Sequence, residues 1–168
     1  MGVKFKGDFF EKLQKIDNKY FLSKTINEAG VIAVRFSKDR FRKKNWVDKS
    51  QKSWAPRKRK TRGSILVQSG RLKRSIRKIS EGKYYVLIGT DVPYAQIHNE
   101  GGVIKTTARV RAHSRTRKGR SKPIKIRAHT RKMNTKIPQR QFLGESAVLI
   151  RRLENHLYEQ VTNEIYKK

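Results

Sequence analysis

The chain has 168 residues, of which 43 are Lys or Arg and 13 are Asp or Glu, so its formal net charge is +30. This length allows one domain with a modest core, and no apolar run reaches the length of a transmembrane helix or a signal peptide. The absence of cysteine excludes disulfides, thiolate metal sites and cysteine nucleophiles. Because a small protein with this charge repels itself, we expect it to act beside a strongly anionic partner.

The first part of the chain shows the periodicity of an amphipathic helix. Apolar residues recur every third or fourth position in two consecutive sets, which are Phe9, Leu13, Ile16 and Tyr20, then Leu22, Ile26, Ala29 and Ala33. The two sets predict a long N-terminal helix with a break near Ser23 and an end soon after Phe36. Residues 37–63 are predicted to form a basic loop that Trp46 and Trp54 anchor to the core.

A short helix and a hairpin are predicted next. Ser69 is a candidate N-cap for a helix whose buried face holds Leu72 and Ile76. Residues 77–89 alternate like two short strands around a turn, and the second strand is predicted to begin at Tyr84.

A near-repeat marks the most basic part of the chain. It follows one helical turn at residues 94–98, which is predicted to end at Gly101. Residues 110–115 echo residues 126–131, and this match predicts a long antiparallel basic hairpin over residues 103–133.

Alternation along this hairpin predicts a ribbon with two different faces. The predicted apolar face holds Val110, Ala112, Ile124, Ile126 and Ala128. The predicted cationic face holds Arg109, Arg111, His113, Lys125, Arg127 and His129.

The chain closes with a second periodic helix. Apolar residues repeat every fourth position at Leu149, Leu153, Leu157, Val161 and Ile165, which predicts a helix from about Glu145 to Tyr166. A helix at each end with an antiparallel sheet and hairpins between them predicts an α+β fold. We expect a single domain over residues 1–168.

Catalytic and metal-binding signatures are missing from the sequence. No phosphate-binding loop, dinucleotide motif or zinc-protease motif occurs, and the four histidines do not lie at metal-ligand spacing. The acids are dispersed, whereas a magnesium-dependent nuclease needs clustered carboxylates. The sequence therefore predicts no metal, no cofactor and no enzymatic activity.

Five ordered blocks carry a resemblance to a known family. They are residues 54–56, 65–76, 86–90, 94–102 and 137–144. With a helix at each end, this set resembles the phage virion morphogenesis family over about residues 8–165. The matching positions are Trp54, Ser69, Gly70, Leu72, Ile76, Gly89, Tyr94, Ala95, His98, Gly101, Pro138, Arg140, Phe142, Leu143 and Gly144.

The chain departs from the family pattern at two places. Gln139 and Gln141 replace a small residue and a second proline, and Asn99 and Glu100 replace a glutamine and an aromatic residue. We expect these departures to affect partner specificity more than the fold.

The resemblance implies a structural protein of the head–tail junction of a tailed phage, a tail completion or neck component. It implies a hexameric ring around the channel for double-stranded DNA, which joins the tail to the head. The implied protein partners are portal- or adaptor-side neck proteins and tail terminator or tail tube proteins. The implied location is the neck of the virion, after assembly in the host cytoplasm and without a membrane.

The charge limits what such a ring contacts. Duplex DNA in a ~40 Å channel carries only about 24 phosphate charges. Several copies of this chain carry far more positive charge than that, so the DNA cannot neutralise them. We therefore expect the hairpin to reach DNA or a protein partner through Arg109, Arg111, Arg115, Arg117, Lys118, Arg120, Lys122, Lys125, Arg127 and Arg131. A docking surface is expected at Arg57, Lys58, Arg59, Lys60 and Arg62.

A sequence-independent nucleic-acid-binding protein, of ribosomal or DNA-packaging type, is the alternative. Its support is the charge and four aromatic residues that could stack on bases, which are Trp46, Trp54, Tyr84 and Tyr85. Against this alternative, the two tyrosines are predicted to lie on a strand that needs core residues.

Overall fold

The computed structural model describes residues 19–58, 62–82, 84–116, 119 and 122–166. Its fold is α+β, as predicted, with a long helix near each end of the described residues and antiparallel strand pairs between them. In chain order the elements are α1 (Lys19–Lys43), β1 (Asn45–Val47), β2 (Gln51–Ser53), α2 (Arg71–Ser75), β3 (Arg77–Glu81), β4 (Val86–Gly89), α3 (Ala95–Glu100), β5 (Gly102–Val110), β6 (His113–Arg115), β7 (Ile124–Ile126), β8 (His129–Ile137) and α4 (Ala147–Tyr166). The strand pairs are β1–β2, β3–β4, β5–β8 and β6–β7.

Helix α1 extends further than the sequence predicts. It runs through Ser23, so the predicted break there is wrong, and it continues for two turns past Phe36. These turns stay helical because Phe36, Arg40 and Phe41 are buried, and tertiary packing outweighs their basic neighbours. Three residues of the first predicted apolar set, Phe9, Leu13 and Ile16, lie outside the described residues, and the fourth, Tyr20, is exposed.

Arg40 is a buried cation at the end of α1, with 2% of its surface exposed. Its Nε donates to Phe36 O at 3.3 Å, and its Nη1 donates to Asn45 Oδ1 at 3.1 Å. The guanidinium carbon lies 4.6 Å from the centre of the Phe36 ring. Burial lowers the pKa of this guanidinium. These contacts offset the loss of water and connect α1 to β1.

Residues 45–53 form the β1–β2 hairpin, so the prediction of loop is wrong there. The prediction that Trp46 and Trp54 act as anchors is confirmed, because both are buried. Trp46 packs edge-on against Phe36 with ring centroids 5.7 Å apart, and Trp54 packs edge-on against Phe41 at 5.5 Å. The aromatic anchors hold the hairpin against α1.

Two buried clusters form the core of the described chain, and α1 contributes to both. The first contains Phe41, Trp54, Leu72, Ile76, Val92, Ala95 and Phe142. The second contains Ala33, Phe36, Trp46 and Leu149, and it joins α1 to α4.

Helix α2 buries the residues that the sequence predicts, Leu72 and Ile76. The predicted N-cap at Ser69 is wrong, because Gly70 holds the cap position with φ 75° and ψ 0°. Ser69 Oγ instead accepts a long hydrogen bond of 3.4 Å from Arg71 N. The left-handed conformation at the cap is one that glycine adopts at low cost.

The β3–β4 hairpin is confirmed over residues 77–89, with a register irregularity between Lys78 and Ser80. Its second strand begins at Val86 rather than at Tyr84. Tyr84 and Tyr85 precede that strand and are exposed, so the prediction that they fill a core strand is wrong.

Helix α4 begins at Ala147, close to its predicted start, and a cap from another element fixes its first turn. Ser146 Oγ accepts from Leu149 N at 3.2 Å and donates to Val47 O at 2.7 Å. Asp48 Oδ1 accepts from Ala147 N at 2.6 Å. This bond lowers the pKa of the Asp48 carboxyl, since the charged form accepts the N–H.

Candidate functional site

A long two-stranded ribbon carries most of the predicted contact residues. Strands β5 and β8 pair without interruption from Gly102↔Ile137 to Val110↔His129, and β6 and β7 continue the pairing from His113↔Ile126 to Arg115↔Ile124. Among the described residues, neither β5 nor β8 packs extensively on any element except the other.

The predicted division of residues 110–115 and 124–129 into an apolar and a cationic face is wrong. Residues directly opposite each other share a face of an antiparallel ribbon. The register sets Val110 opposite His129, His113 opposite Ile126 and Arg115 opposite Ile124. Each of the paired apolar residues in these segments thus faces a basic or imidazole partner, and both faces are mixed there.

The near-repeat instead coincides with a matching break in the pairing of each arm. The ladder breaks at residues 111–112 on one arm and at residues 127–128 on the other. After each break a histidine ring nitrogen lies within hydrogen-bonding distance of the carbonyl two residues earlier. His113 Nδ1 is 2.9 Å from Arg111 O, and His129 Nδ1 is 3.0 Å from Arg127 O.

Two distinct faces do occur nearer the body, between β5 and β8. One face is exposed and cationic, and its basic residues are Lys105, Arg109, Lys132 and Lys136. The opposite face, called the apolar face below, carries most of the apolar side chains of β5 and β8, and Thr106, Thr135, His129 and Arg131 lie on it too. Its apolar residues are Ile104, which is exposed, and Ala108, Val110, Met133 and Ile137, which are partly buried.

Every predicted ribbon contact that the structure describes is exposed. These residues are Arg109, Arg111, Arg115, Lys122, Lys125, Arg127 and Arg131. The other three predicted contacts, Arg117, Lys118 and Arg120, lie outside the described residues. Exposure along both arms leaves these cations available to phosphate or carboxylate groups.

The predicted docking surface is described only in part. Lys58 and Arg62 are exposed, whereas Arg59 and Lys60 lie outside the described residues. Arg57 is partly buried and holds the loop closed, since its Nη2 donates to Gly63 O at 2.6 Å.

Five of the predicted motif residues line a single cavity of about 380 Å3 beside α3. They are Ser69, Gly70, Leu72, Tyr94 and His98. The described lining also includes Arg57, Arg71, Ser64 and Gln68 and contains no acid. Guanidinium, hydroxyl and amide donors around an apolar floor suit an anionic side chain.

His98 is the titratable group of this cavity. Its ring packs edge-on against Tyr94 with centroids 5.9 Å apart, and its Nδ1 is buried without a hydrogen-bond partner among the described residues. Burial lowers the pKa of His98, and the charge of Arg140 lowers it further. The imidazole is therefore uncharged near neutral pH.

A second group of motif residues joins distant parts of the chain. Arg140 Nε and Nη2 donate to Ala55 O at 3.1 and 3.0 Å, and Nη2 also donates to Pro56 O at 3.2 Å. Trp54 Nε1 donates to Gln141 O at 2.9 Å. Phe142, also a motif residue, is fully buried. These motif residues hold the fold, because their polar atoms are used within the chain.

Asn99 completes this junction, a structural role that the sequence did not predict. Its Oδ1 accepts from Phe142 N and Leu143 N, both at 2.9 Å, and its Nδ2 donates to Leu143 O at 3.1 Å. These bonds give Asn99 a role in the fold, and the effect of this departure on partner specificity stays a prediction. Its partners are more than 40 residues away, so local sequence carries no signal for the role.

The remaining motif residues surround α3 and the start of the ribbon. Ala95 is buried, and Gly101 ends α3 with φ 79° while its N–H donates to Ile97 O at 3.0 Å. A Cβ on Gly101 would lie 2.8 Å from Gln139 N. Gly89, Pro138, Leu143 and Gly144 lie at strand ends and in the segment before α4.

In the part of the chain that the structure describes, no group of three or more His, Asp or Glu side chains is placed to hold a metal ion. None of the described helices is both long and apolar enough to cross a membrane.

Comparison with known families identifies the family of this chain. The model of the phage virion morphogenesis family matches residues 22–162, which is most of the chain. No curated protein and no solved structure matches.

Proposed function

Because this chain belongs to the phage virion morphogenesis family, we propose that it is a tail completion or neck protein of the head–tail junction. It acts there as a ring of copies around the DNA channel and joins the tail to the head. Its role is structural, and its partners are neighbouring virion proteins and the DNA that passes through the ring.

The projecting basic ribbon is the observation that carries the proposal. It extends from the body, pairs mainly with itself and exposes cations along both arms. Phosphate contacts of this kind are independent of base sequence, as a protein that surrounds a moving genome requires.

The charge balance assigns a second role to the other basic surfaces. DNA within the channel cannot neutralise several copies at +30 each. The cavity lined by Arg57, Arg71 and His98, with the adjoining exposed Lys58 and Arg62, therefore docks on acidic surfaces of neighbouring virion proteins.

One observation favours the nucleic-acid-binding alternative. Tyr84 and Tyr85 are exposed beside the β3–β4 turn, so they are not committed to the core as the sequence suggested. Exposed aromatic side chains near cations are typical of surfaces that stack on single-stranded bases. Such a protein would need no partner copy and would lose its ligand steeply as salt increases.

Removal of the ribbon tip tests the proposal. Deletion of residues 114–123 shortens the ribbon beyond the break in its pairing. We expect an unchanged melting temperature, because β6 and β7 pair with each other and the deletion leaves the buried clusters intact. In a phage that depends on the variant, filled heads and free tails should accumulate unjoined.

A charge variant that keeps the ribbon length provides the matched control. Substitution by glutamine of the five basic residues in the deleted segment removes the same cations without shortening the chain; they are Arg115, Arg117, Lys118, Arg120 and Lys122. A smaller joining defect than in the deletion shows that reach matters as well as charge. Normal yields of infectious tailed particles from the deletion variant would overturn the proposed role of the ribbon.

A further inference from the structure

A second cavity on a different face of α3, of about 450 Å3, combines an apolar floor with an acidic rim. Val92, Ala95 and Phe142 form its buried floor. Asp91 and Glu100 are exposed residues of its lining. Two carboxylates beside one apolar groove stand out in a chain with a net charge of +30.

The carboxylates of Asp91 and Glu100 can still bind a cationic group of another molecule. Glu100 Oε2 accepts from Gln96 Nε2 at 3.2 Å, which leaves its other oxygen to solvent. Asp91 Oδ2 lies 3.8 Å from Arg77 Nη2, and both of these side chains are largely exposed. Pairing at this distance and exposure is weak and yields readily to a better partner.

The apolar face of the ribbon has the complementary character. Ile104, Ala108 and Met133 lie on it, and Arg131 stands opposite Ala108 on the same face. A two-stranded ribbon alone is only marginally stable in water, and a covered apolar face stabilises it. Among the described residues no third strand or helix covers this face extensively.

The chain's own ribbon cannot fill its own groove. Glu100 ends α3 directly before the ribbon starts at Gly102. Ala108 and its partner Arg131 lie about 20 Å along the strand from that start, at ~3.3 Å per residue. The pairing from Gly102 to Val110 is unbroken, so the ribbon does not fold back at this point.

We propose that the apolar ribbon face of one copy seats in the α3 groove of a second copy, with Arg131 against the carboxylates of Asp91 and Glu100. This contact rests on the proposed function, which requires several copies. A ribbon on one copy and a groove on the next make a head-to-tail contact, which generates a ring when the rotation closes. Apolar burial beneath the ion pairs lets it persist in salt.

The absence of cysteine from the chain allows a direct test by cross-linking. One population carries Gln96→Cys at the groove, and a second, with a size tag, carries Thr106→Cys on the apolar ribbon face. Thr107→Cys is the matched control, because it is the adjacent exposed threonine on the cationic face. After mixing and mild oxidation, the Thr106→Cys pair should form about tenfold more mixed dimer than the control, since disulfides need close Cα atoms.

Charge exchange provides the second readout. Arg131→Glu should weaken association by about tenfold, and Glu100→Arg in the partner population should restore it. Equal cross-linking from both ribbon faces, or no restoration by the exchanged pair, would overturn the contact.

Native mass of the same samples separates this contact from the proposed function. A ring that forms without selective cross-linking overturns the contact and leaves the ring in place. Loss of both the ring and the cross-link overturns both.

Discussion

Truncation of Asn99 tests the junction that joins α3 to the segment before α4. Asn99→Ala removes three hydrogen bonds, to Phe142 N, Leu143 N and Leu143 O. A hydrogen bond within a protein contributes about 1 kcal/mol, and a buried group left without a partner costs about 1–3 kcal/mol. Alanine recovers roughly 0.6 kcal/mol through its higher helix propensity. We expect a net loss of about 2–4 kcal/mol from the free energy of unfolding.

Gln96→Ala is the matched control on the same helix. The Gln96 amide makes an exposed hydrogen bond to Glu100 at 3.2 Å, so its truncation should cost less than about 0.5 kcal/mol. Thermal unfolding followed by tryptophan fluorescence compares the two, because Trp54 is bonded to the same segment through Gln141 O. For a chain of this size, the Asn99 variant should melt roughly 5–12 °C lower. Melting of both variants within about 2 °C of the unaltered protein would show that the three Asn99 hydrogen bonds do not stabilise the fold.

Two further predictions concern α3. Because the pKa of His98 is lowered in the folded protein, the unfolded chain binds the proton first, so stability should fall as pH drops below the ordinary value of 6.5. In urea titrations at pH 7 and pH 5, His98→Gln should reduce this loss; an equal loss in both proteins would contradict the assignment. Gly101→Ala should destabilise the protein by more than about 1 kcal/mol, because its φ is 79° and the added Cβ meets Gln139 N at 2.8 Å. Gly119→Ala is the control, with a similar φ of 86° and no atom within 4 Å, and an equal shift in melting temperature would show that the contact at Gly101 is unimportant.

Local periodicity predicts much of this fold. The β3–β4 hairpin, the buried pair Leu72 and Ile76 and the closing helix α4 all follow from spacing along the chain. These elements can be predicted because each one buries one face, and its buried residues recur at a regular spacing along the chain.

The spacing of apolar residues does not predict the extension of α1. Its final turns look like a solvated basic segment, yet Arg40 is buried there with Phe36 O and Asn45 Oδ1 as acceptors. Apolar spacing does not reveal these acceptors, because one is a backbone carbonyl of the same helix and the other is a polar side chain of β1.

The ribbon shows a different limit. Its two arms match in sequence, and that match suggests that like residues share a face. In the actual register Val110 lies opposite His129, not opposite Ile126, the residue that matches it in the repeat. Matching residues are therefore displaced by an odd number of positions and lie on opposite faces. A shift of one residue exchanges the faces of a strand, so composition alone cannot assign them.

The motif residues divide into two physical groups for the same reason. Arg140 and Trp54 bond to backbone carbonyls of distant segments and thereby hold the fold. Tyr94 and His98 line a cavity whose described lining has no acid. The sequence places all four in one family pattern, and only their contacts separate scaffold from surface.

Native mass and negative-stain imaging of the purified protein, with and without DNA at low and high salt, test whether copies of this chain form a ring by themselves. We expect a closed ring that survives about 0.5 M salt without DNA, because contacts between copies bury apolar surface as well as charge. A monomer that assembles only when DNA is added, and loses that assembly at high salt, would contradict it and favour a sequence-independent nucleic-acid-binding protein.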